Sequence, residues 1–285
     1  MILLDGKKVA DHILKDVKKT IGTFTRPPGL AFVIVGEDPS SQTYVRMKKK
    51  KCLDVGIVSK DKKFPADATE KELVAYIKKL NDDPTIDGIL IQQPLPPHLR
   101  ASTLMEAVDP DKDVDGFHPV NMGRLLLGET NGFIPCTPEG IHQLLQFYKI
   151  PLSGKHVVIL GRSNIVGKPL AALLVQKNPT ANATVTIAHT GTKHLKELTH
   201  SADILIAAMG SPHFVKAPMV KKGAVVIDVG INRNGTKITG DVDFERVAPL
   251  CSHITPVPGG IGPMTIAMLL SNTALSVERK VLNFS

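Results

Sequence analysis

Four consecutive lysines, Lys48 to Lys51, stand in the stretch SQTYVRMKKKKCLDVG, residues 41–56. On a helix turning about 100° per residue, Tyr44, Lys48, Cys52 and Val55 share one face, with Val45 at its border. Lys49 and Lys50 point away from that face with Arg46 and Asp54, and Lys51 lies near its edge. Lys48 is therefore expected among apolar neighbours, one turn from an aromatic hydroxyl. A lone lysine on such a face would reach its ammonium out to water. Here three neighbouring lysines can serve the surface, which frees Lys48 for a desolvated role. Desolvation lowers a lysine pKa from its ordinary ~10.4 and makes a neutral amine available near pH ~7. A lysine acid/base catalyst needs that amine.

A second chemical signal is VVILGRSNIVGKPLAALL, residues 157–174, which reads as strand, turn and helix. Gly161 ends the strand and Gly167 opens the helix, with Val166 just before it. Ser163 stands where a G-x-G-x-x-G fingerprint has its middle glycine. The next strand ends in IAHTGTKH, without the carboxylate that takes a ribose hydroxyl in NAD binders. Arg162 and Ser163 in the first loop, and His189, Thr190 and Thr192 in the second, are cationic and hydroxyl groups. They suit a 2′-phosphate, so NADP is favoured over NAD. Short-chain dehydrogenases also carry a Tyr-x-x-x-Lys pair, but their glycine-rich loop precedes it. In this chain the pair comes first.

Two series of elements must position these residues. Val9, Ile13, Leu14, Val17 and Ile21 mark one helical face over residues 8–22. LAFVIVG (30–36) reads as a buried strand, followed by a helix from about Ser41. Thr69 and Glu72 have capping-box spacing ahead of another helix. DGILIQQPLPP is a strand running into a proline-stiffened turn. CTPEGIHQLLQFY (136–148) starts a helix with Thr137 as cap and Pro138 in its first turn. The pattern then restarts with four buried-strand candidates at 155–161, 183–189, 202–210 and 223–230. A last helix begins near Gly262. Alternating strands and helices indicate parallel sheets covered on both faces.

The chain has 285 residues, enough for two domains with separate cores. No apolar run approaches the ~20 residues of a membrane helix, and no signal peptide is visible. Cys52, Cys136 and Cys251 are odd in number and lack metal-ligand spacing, so free thiols in a reducing cytoplasm and no metal are expected. The net charge of +8 is an attraction for anions. With aromatics at 4% and no Trp, a small polyanion fits better than nucleic acid.

Five motifs, SQTYVRMK, GILIQQPLP, KDVDGFHPVN, GRSNIVGKP and TPVPGGIGPMTIAMLLSNT, occur in this order over residues 41–273. Together they resemble the bifunctional methylenetetrahydrofolate dehydrogenase/cyclohydrolase family. The resemblance implies two α/β domains with a cleft between them. These are an N-terminal folate-binding catalytic domain, 1–119, and a C-terminal Rossmann-type NADP-binding domain, 120–285, whose last helix packs back on the first. It implies NADP-dependent oxidation of 5,10-methylenetetrahydrofolate to the methenyl cation and hydrolysis of that cation to 10-formyltetrahydrofolate. It also implies a cytoplasmic homodimer taking tetrahydrofolate substrates, polyglutamylated forms included, for purine synthesis, with no membrane or nucleic-acid partner.

Carried over by position, Lys48 is the catalytic lysine, Tyr44 stacks on the aminobenzoyl ring, and Gln92 bonds and aims Lys48. Asp115 accepts from the pterin edge. Pro258, Gly259 and Gly260 give backbone to the folate without side-chain bulk. Gly161, Arg162, Ser163, Val166, Gly167 and Thr190 hold the cofactor, and Ile231 lines its nicotinamide side. The residues of KDVDG taken alone also allow Asp115 a turn-forming role before Gly116. The sequence departs from the family pattern at Gln93, where an apolar residue is common, and at Thr190 and Gly191. The rivals are a relative with one of the two activities and a basic nucleic-acid binder using residues 46–51.

Overall fold

A computed structural model describes residues 1–235 and 237–283. The first half of the chain runs β1 (Ile2–Leu3), α1 (Gly6–Ile21), β2 (Gly29–Val35), α2 (Pro39–Val55), β3 (Val58–Phe64), α3 (Glu70–Asp82), β4 (Gly88–Ile91), α4 (Ala101–Glu106) and α5 (Pro119–Leu127). The second runs α6 (Cys136–Phe147), β5 (His156–Leu160), α7 (Gly167–Leu174), β6 (Thr184–Ala188), α8 (Leu195–His200), β7 (Ile204–Ala207), β8 (Val225–Asp228), β9 (Asn232–Asn234), β10 (Lys237–Thr239), α9 (Phe244–Val247), β11 (His253–Ile254) and α10 (Ile261–Asn283).

Contacts divide the chain into two compact units. One comprises residues 1–11 and 137–265, the other 12–136 and 266–285. This division lies later than the expected boundary at 119/120. The reason is local: α5 and the segment after it are tied to their own unit. Asn121 Nδ2 donates to Asp113 Oδ2 at 2.9 Å, and Arg279 donates to the carbonyls of Thr130 and Gly132. From Ile266 onward α10 is part of this unit too, through Asn272 to the Val114 carbonyl and Ser276 to the Asp87 carbonyl.

In the unit of residues 12–136 and 266–285, three parallel strands run β3-β2-β4. β2 is buried throughout, as its unbroken apolar run requires. β3 is an edge strand, VSKDKKF, mostly exposed. Its lysines keep the open edge soluble, and the absence of an apolar period hides it from sequence reading. α2 starts at Pro39 with Asp38 as cap, Oδ1 accepting from Ser41 N at 2.7 Å, and ends at Gly56 in the left-handed region. The capping box of Thr69 and Glu72 forms as expected, and α3 buries Leu73, Ile77 and Leu80. These meet Ala31, Val33, Ile89 and Ile91 of the sheet.

The other unit holds a six-stranded sheet ordered β1-β11-β8-β7-β5-β6, all parallel. The four strands read from the sequence form one side of it, with β6 at the edge, and β1 and β11 extend the other side. From β5 the chain passes first to β6 on one side and then to β7 on the other. The topological switch point therefore lies between the carboxyl ends of β5 and β7, where α/β sheets of this kind bind ligands. Helix α6 begins at Cys136, so Thr137 is inside it and does not cap it. The Thr137 hydroxyl pairs instead with that of Thr265, 2.9 Å away. No helix among the described residues is long and apolar enough to cross a membrane.

Two buried carboxyls make stability depend on pH. Burial pushes Asp113 up to about 7 and Asp228 up to about 6. Both lie above the unfolded value, so the folded chain keeps protons that the unfolded chain has released. Their stabilising contribution is complete below the unfolded pKa and is lost as pH rises through about 6 and then about 7. Thermal melts should therefore show Tm falling between pH about 5 and about 8. A Tm that climbs steadily across that window would contradict this origin.

Candidate active site

Of the four lysines, Lys48 is the buried one, at 6% exposure, with Val45, Cys52 and Val55 buried beside it. Lys49 pairs with Asp61 at 2.7 Å on the surface. Lys48 Nζ donates to Gln92 Oε1 at 3.2 Å, and Gln92 Nε2 donates to the Gln93 carbonyl at 2.6 Å. The second bond fixes the amide so that its oxygen faces the lysine. Gln92 sits just beyond β4, and its backbone N–H extends the sheet to the Val33 carbonyl. The Tyr44 ring lies 5.2 Å from Lys48 Nζ. Burial lowers the Lys48 pKa, and the nearby Asp115 carboxylate raises it part of the way back. A neutral amine is thus accessible in a site that also holds a carboxylate. Burial raises the Tyr44 phenol, so it stays protonated.

The segment around Asp115 separates two roles that its sequence left open. Asp113 builds the turn: its carboxylate accepts from the N–H groups of Phe117 and His118 and from Asn121 Nδ2. Gly116 supplies the positive φ of 81°, and Gly116 N–H closes onto the Asp113 carbonyl. A Cβ at Gly116 would collide with the backbone of Ile134 and Pro135. The Asp115 carboxylate takes no backbone N–H among the described residues. Burial raises its pKa, and the nearby Lys48 and Cys136 thiol oppose that rise.

Three contributors escaped the sequence reading. Cys136 read only as a free thiol, yet it is buried near Asp115, and its thiol donates to the Val114 carbonyl at 3.3 Å. Asn272 of α10 donates to that same carbonyl at 2.9 Å and to the Ile134 carbonyl at 3.2 Å. It therefore holds both strands of chain that flank Asp115. Asp113 is the third. The turn role that the sequence left open for Asp115 falls to it, two residues earlier. Gln93, a departure from the family pattern, has a buried Nε2 with no hydrogen-bond partner among the described residues.

The unit of residues 1–11 and 137–265 carries the second group. The Cβ positions of Gly161 and Gly167 are closed by the carbonyls of Ala208 and Gly161 respectively, so the turn between β5 and α7 admits only glycine at both places. α7 begins without a side-chain cap at Val166; Lys168 N–H donates to the Ser163 carbonyl at 3.1 Å and Pro169 has no N–H, so within the first turn Gly167 N–H is the group left for an anion. Ser163 Oγ instead accepts from Val166 N–H at 3.1 Å and shapes the turn. Arg162 is exposed and has no ion pair among the described residues. After β6, His189 Nδ1 accepts from Gly191 N–H at 3.1 Å, which leaves Nε2 as a donor; Thr192 Oγ1 accepts from His189 N–H at 2.9 Å. Thr190 is exposed. A glycine turn that lets a ligand approach its backbone, an exposed guanidinium and the lack of an acid after β6 fit a nucleotide with an extra phosphate. Ile231 is 49% exposed after β8. Pro258, Gly259 and Gly260 precede α10, and the Gly259 carbonyl accepts from Lys7 N–H at 3.2 Å.

A doubly wound nucleotide-binding unit and a unit with a desolvated lysine beside a carboxylate define a two-domain enzyme of the dehydrogenase class. The tetrahydrofolate dehydrogenase/cyclohydrolase catalytic domain matches residues 4–115, and the NAD(P)-binding domain of the same family matches residues 135–281. The chain belongs to the tetrahydrofolate dehydrogenase/cyclohydrolase family. The bifunctional protein FolD of Chlamydia trachomatis serovar L2 is 55% identical over 278 residues, which cover 95% of this chain and 97% of that one. Among solved structures, the bifunctional enzyme FolD of Campylobacter jejuni gives a TM-score of 0.95 at 47% identity, covering 98% of this chain and 99% of that one. The Trypanosoma brucei dehydrogenase-cyclohydrolase, complexed with NADP and an inhibitor, gives 0.93 at 35% identity, with coverage of 99% and 98%.

Proposed function

We propose that this chain oxidises 5,10-methylenetetrahydrofolate with NADP and hydrolyses the methenyl product to 10-formyltetrahydrofolate. The observation that carries this reading is Lys48, buried at 6% and held 3.2 Å from an oriented amide oxygen in a chain whose similar relatives include enzymes named as bifunctional. NADP held by the second unit would supply the acceptor for a hydride from the bridging carbon. Lys48 manages protons in the second reaction. As base it takes a proton from the water that attacks the methenyl carbon, and as acid it returns one to the ring nitrogen as the carbon–nitrogen bond breaks. Gln92 holds the amine aimed and favours its donor role. Tyr44, protonated and beside the lysine, offers its ring face to the aminobenzoyl group. Asp115, its carboxylate free of the turn, accepts from adjacent donors on the pterin. Pro258, Gly259 and Gly260 give the folate close backbone.

In the second unit, Gly161, Ser163, Val166 and Gly167 form the turn that takes the pyrophosphate, and Ile231 lines the nicotinamide. Arg162, with Thr190 and His189, reads the 2′-phosphate. Arg162→Ala should therefore weaken NADP by roughly 10- to 100-fold and NAD little, since a charge-assisted phosphate contact contributes about 1.5–3 kcal/mol. Dehydrogenase KM values measured for the two cofactors check this; an equal rise for both would show that Arg162 does not read the extra phosphate.

The net charge of +8 supports polyglutamylated folates as substrates, and the three free cysteines support a reducing cytoplasm. The family resemblance supports a homodimer supplying one-carbon units for purine synthesis. The proposal is tested by giving the purified chain 5,10-methylenetetrahydrofolate with each nucleotide. NADP should be reduced faster than NAD at equal concentration, and the opposite preference would overturn the cofactor assignment.

A further inference from the structure

We propose that Asp241 is a positioning residue for the cofactor crevice and that it holds the loop after β7 in the shape the nicotinamide nucleotide needs. The inference rests on the NADP reading above. The switch point between β5 and β7 has two walls. One is the glycine turn of residues 161–167. The other is the loop of residues 208–211, which approaches the first so closely that the Ala208 carbonyl closes the Cβ position of Gly161.

That second wall is held almost entirely by one side chain. Asp241 is fully buried. Its Oδ2 accepts from Met209 N–H at 2.7 Å and Gly210 N–H at 2.9 Å. Its Oδ1 accepts from Ser211 N–H at 2.9 Å and Asn232 Nδ2 at 2.8 Å. Three successive backbone N–H groups converge on a carboxylate as they would on a bound anion. Because Asp241 occupies them, they are not available to a cofactor phosphate, and the loop contributes shape instead.

A second carboxylate fixes the first. Asp228, at the end of β8, accepts from Asp241 N–H, Val242 N–H and Gly230 N–H, each at 2.9 Å. Gly230 and Gly240 leave room for these carboxylates: a Cβ on Gly230 would collide with Asp241, and one on Gly240 with Asp228. The two aspartates thus tie the ends of β7 and β8 together, with Ile231 and Asn232 between them.

Asparagine at 241 would turn one acceptor oxygen into a donor facing other donors. In the full-length chain, Asp241→Asn should raise the KM for NADP roughly tenfold or more, the scale of losing one hydrogen bond to a charged group. The kcat at saturating NADP should be kept, and so should hydrolysis of methenyltetrahydrofolate assayed without nucleotide. Amide hydrogen exchange should speed up at residues 209–211 while β5 and β7 stay protected. A wild-type KM for NADP in a variant whose 209–211 amides exchange faster would overturn the proposal. So would a kcat loss with no change in that KM. If Asp241→Asn does not fold, Asn232→Ala removes one donor from the same carboxylate and should raise the KM for NADP by a smaller factor; no rise there would also overturn it. If the wild-type chain itself ignores NADP, the cofactor reading fails, and that result is separate from these.

Discussion

Replacing Lys48 with methionine is expected to leave folate binding intact and to slow hydrolysis of methenyltetrahydrofolate by about 10²–10⁴-fold, the usual worth of a positioned proton-transfer group. Methionine keeps the apolar stem against Val45, Cys52 and Val55 and removes only the amine. The fold should tolerate the exchange, since burial works against the charged form of Lys48. The control is Lys49→Met. Lys49 is the next residue in sequence but points to the surface, where it pairs with Asp61. It should hydrolyse normally. Rates of methenyl decay for the two variants decide the matter, and a slow Lys49→Met beside a normal Lys48→Met would reverse the assignment.

The second large effect concerns Asp115. Asp115→Asn should reduce both activities together, by roughly a hundredfold or more, because a carboxylate that accepts two donors from the pterin is replaced by one acceptor and one misplaced donor. The loss should be relieved by raising folate and not by raising NADP. The melting temperature should hardly change, because the turn belongs to Asp113 and Gly116. Asp113→Asn is the informative contrast. It weakens a carboxylate that accepts from Phe117 and His118 N–H groups and from Asn121, so it should melt earlier. If Asp115→Asn melts early and binds folate normally, the turn reading of Asp115 was the correct one.

These contrasts also mark what the sequence could disclose. The stripe of α2 was legible because a helix face is a strict geometric repeat, and it separated Lys48 from three identical neighbours. The central strands were legible because strands buried on both faces are written as unbroken apolar runs. β3 was not, since an edge strand guarded by lysines has no apolar period. β1 and β11 are two residues each and are defined by a pairing between residues 251 positions apart, Ile2 with His253 and Leu3 with Ile254, which no local pattern reports. The same limit hid Asn272, whose contact with Val114 spans 158 positions. Asp113 went unread because the acid-before-turn signal does not say which of two nearby carboxylates folds back on the chain. Asp241 gave no signal at all: three of its four donors are backbone N–H groups, which every sequence contains.

The central claim is that one chain performs both reactions in succession. The most direct measurement follows NADPH and methenyltetrahydrofolate together after 5,10-methylenetetrahydrofolate and NADP are mixed with the purified protein. NADPH should appear with 10-formyltetrahydrofolate as the matching product, and the same preparation should hydrolyse added methenyltetrahydrofolate faster than buffer does. In Lys48→Met the hydrolysis should be lost while folate still binds. NADPH formation with methenyltetrahydrofolate decaying only at the rate of buffer would contradict the account and leave a dehydrogenase alone.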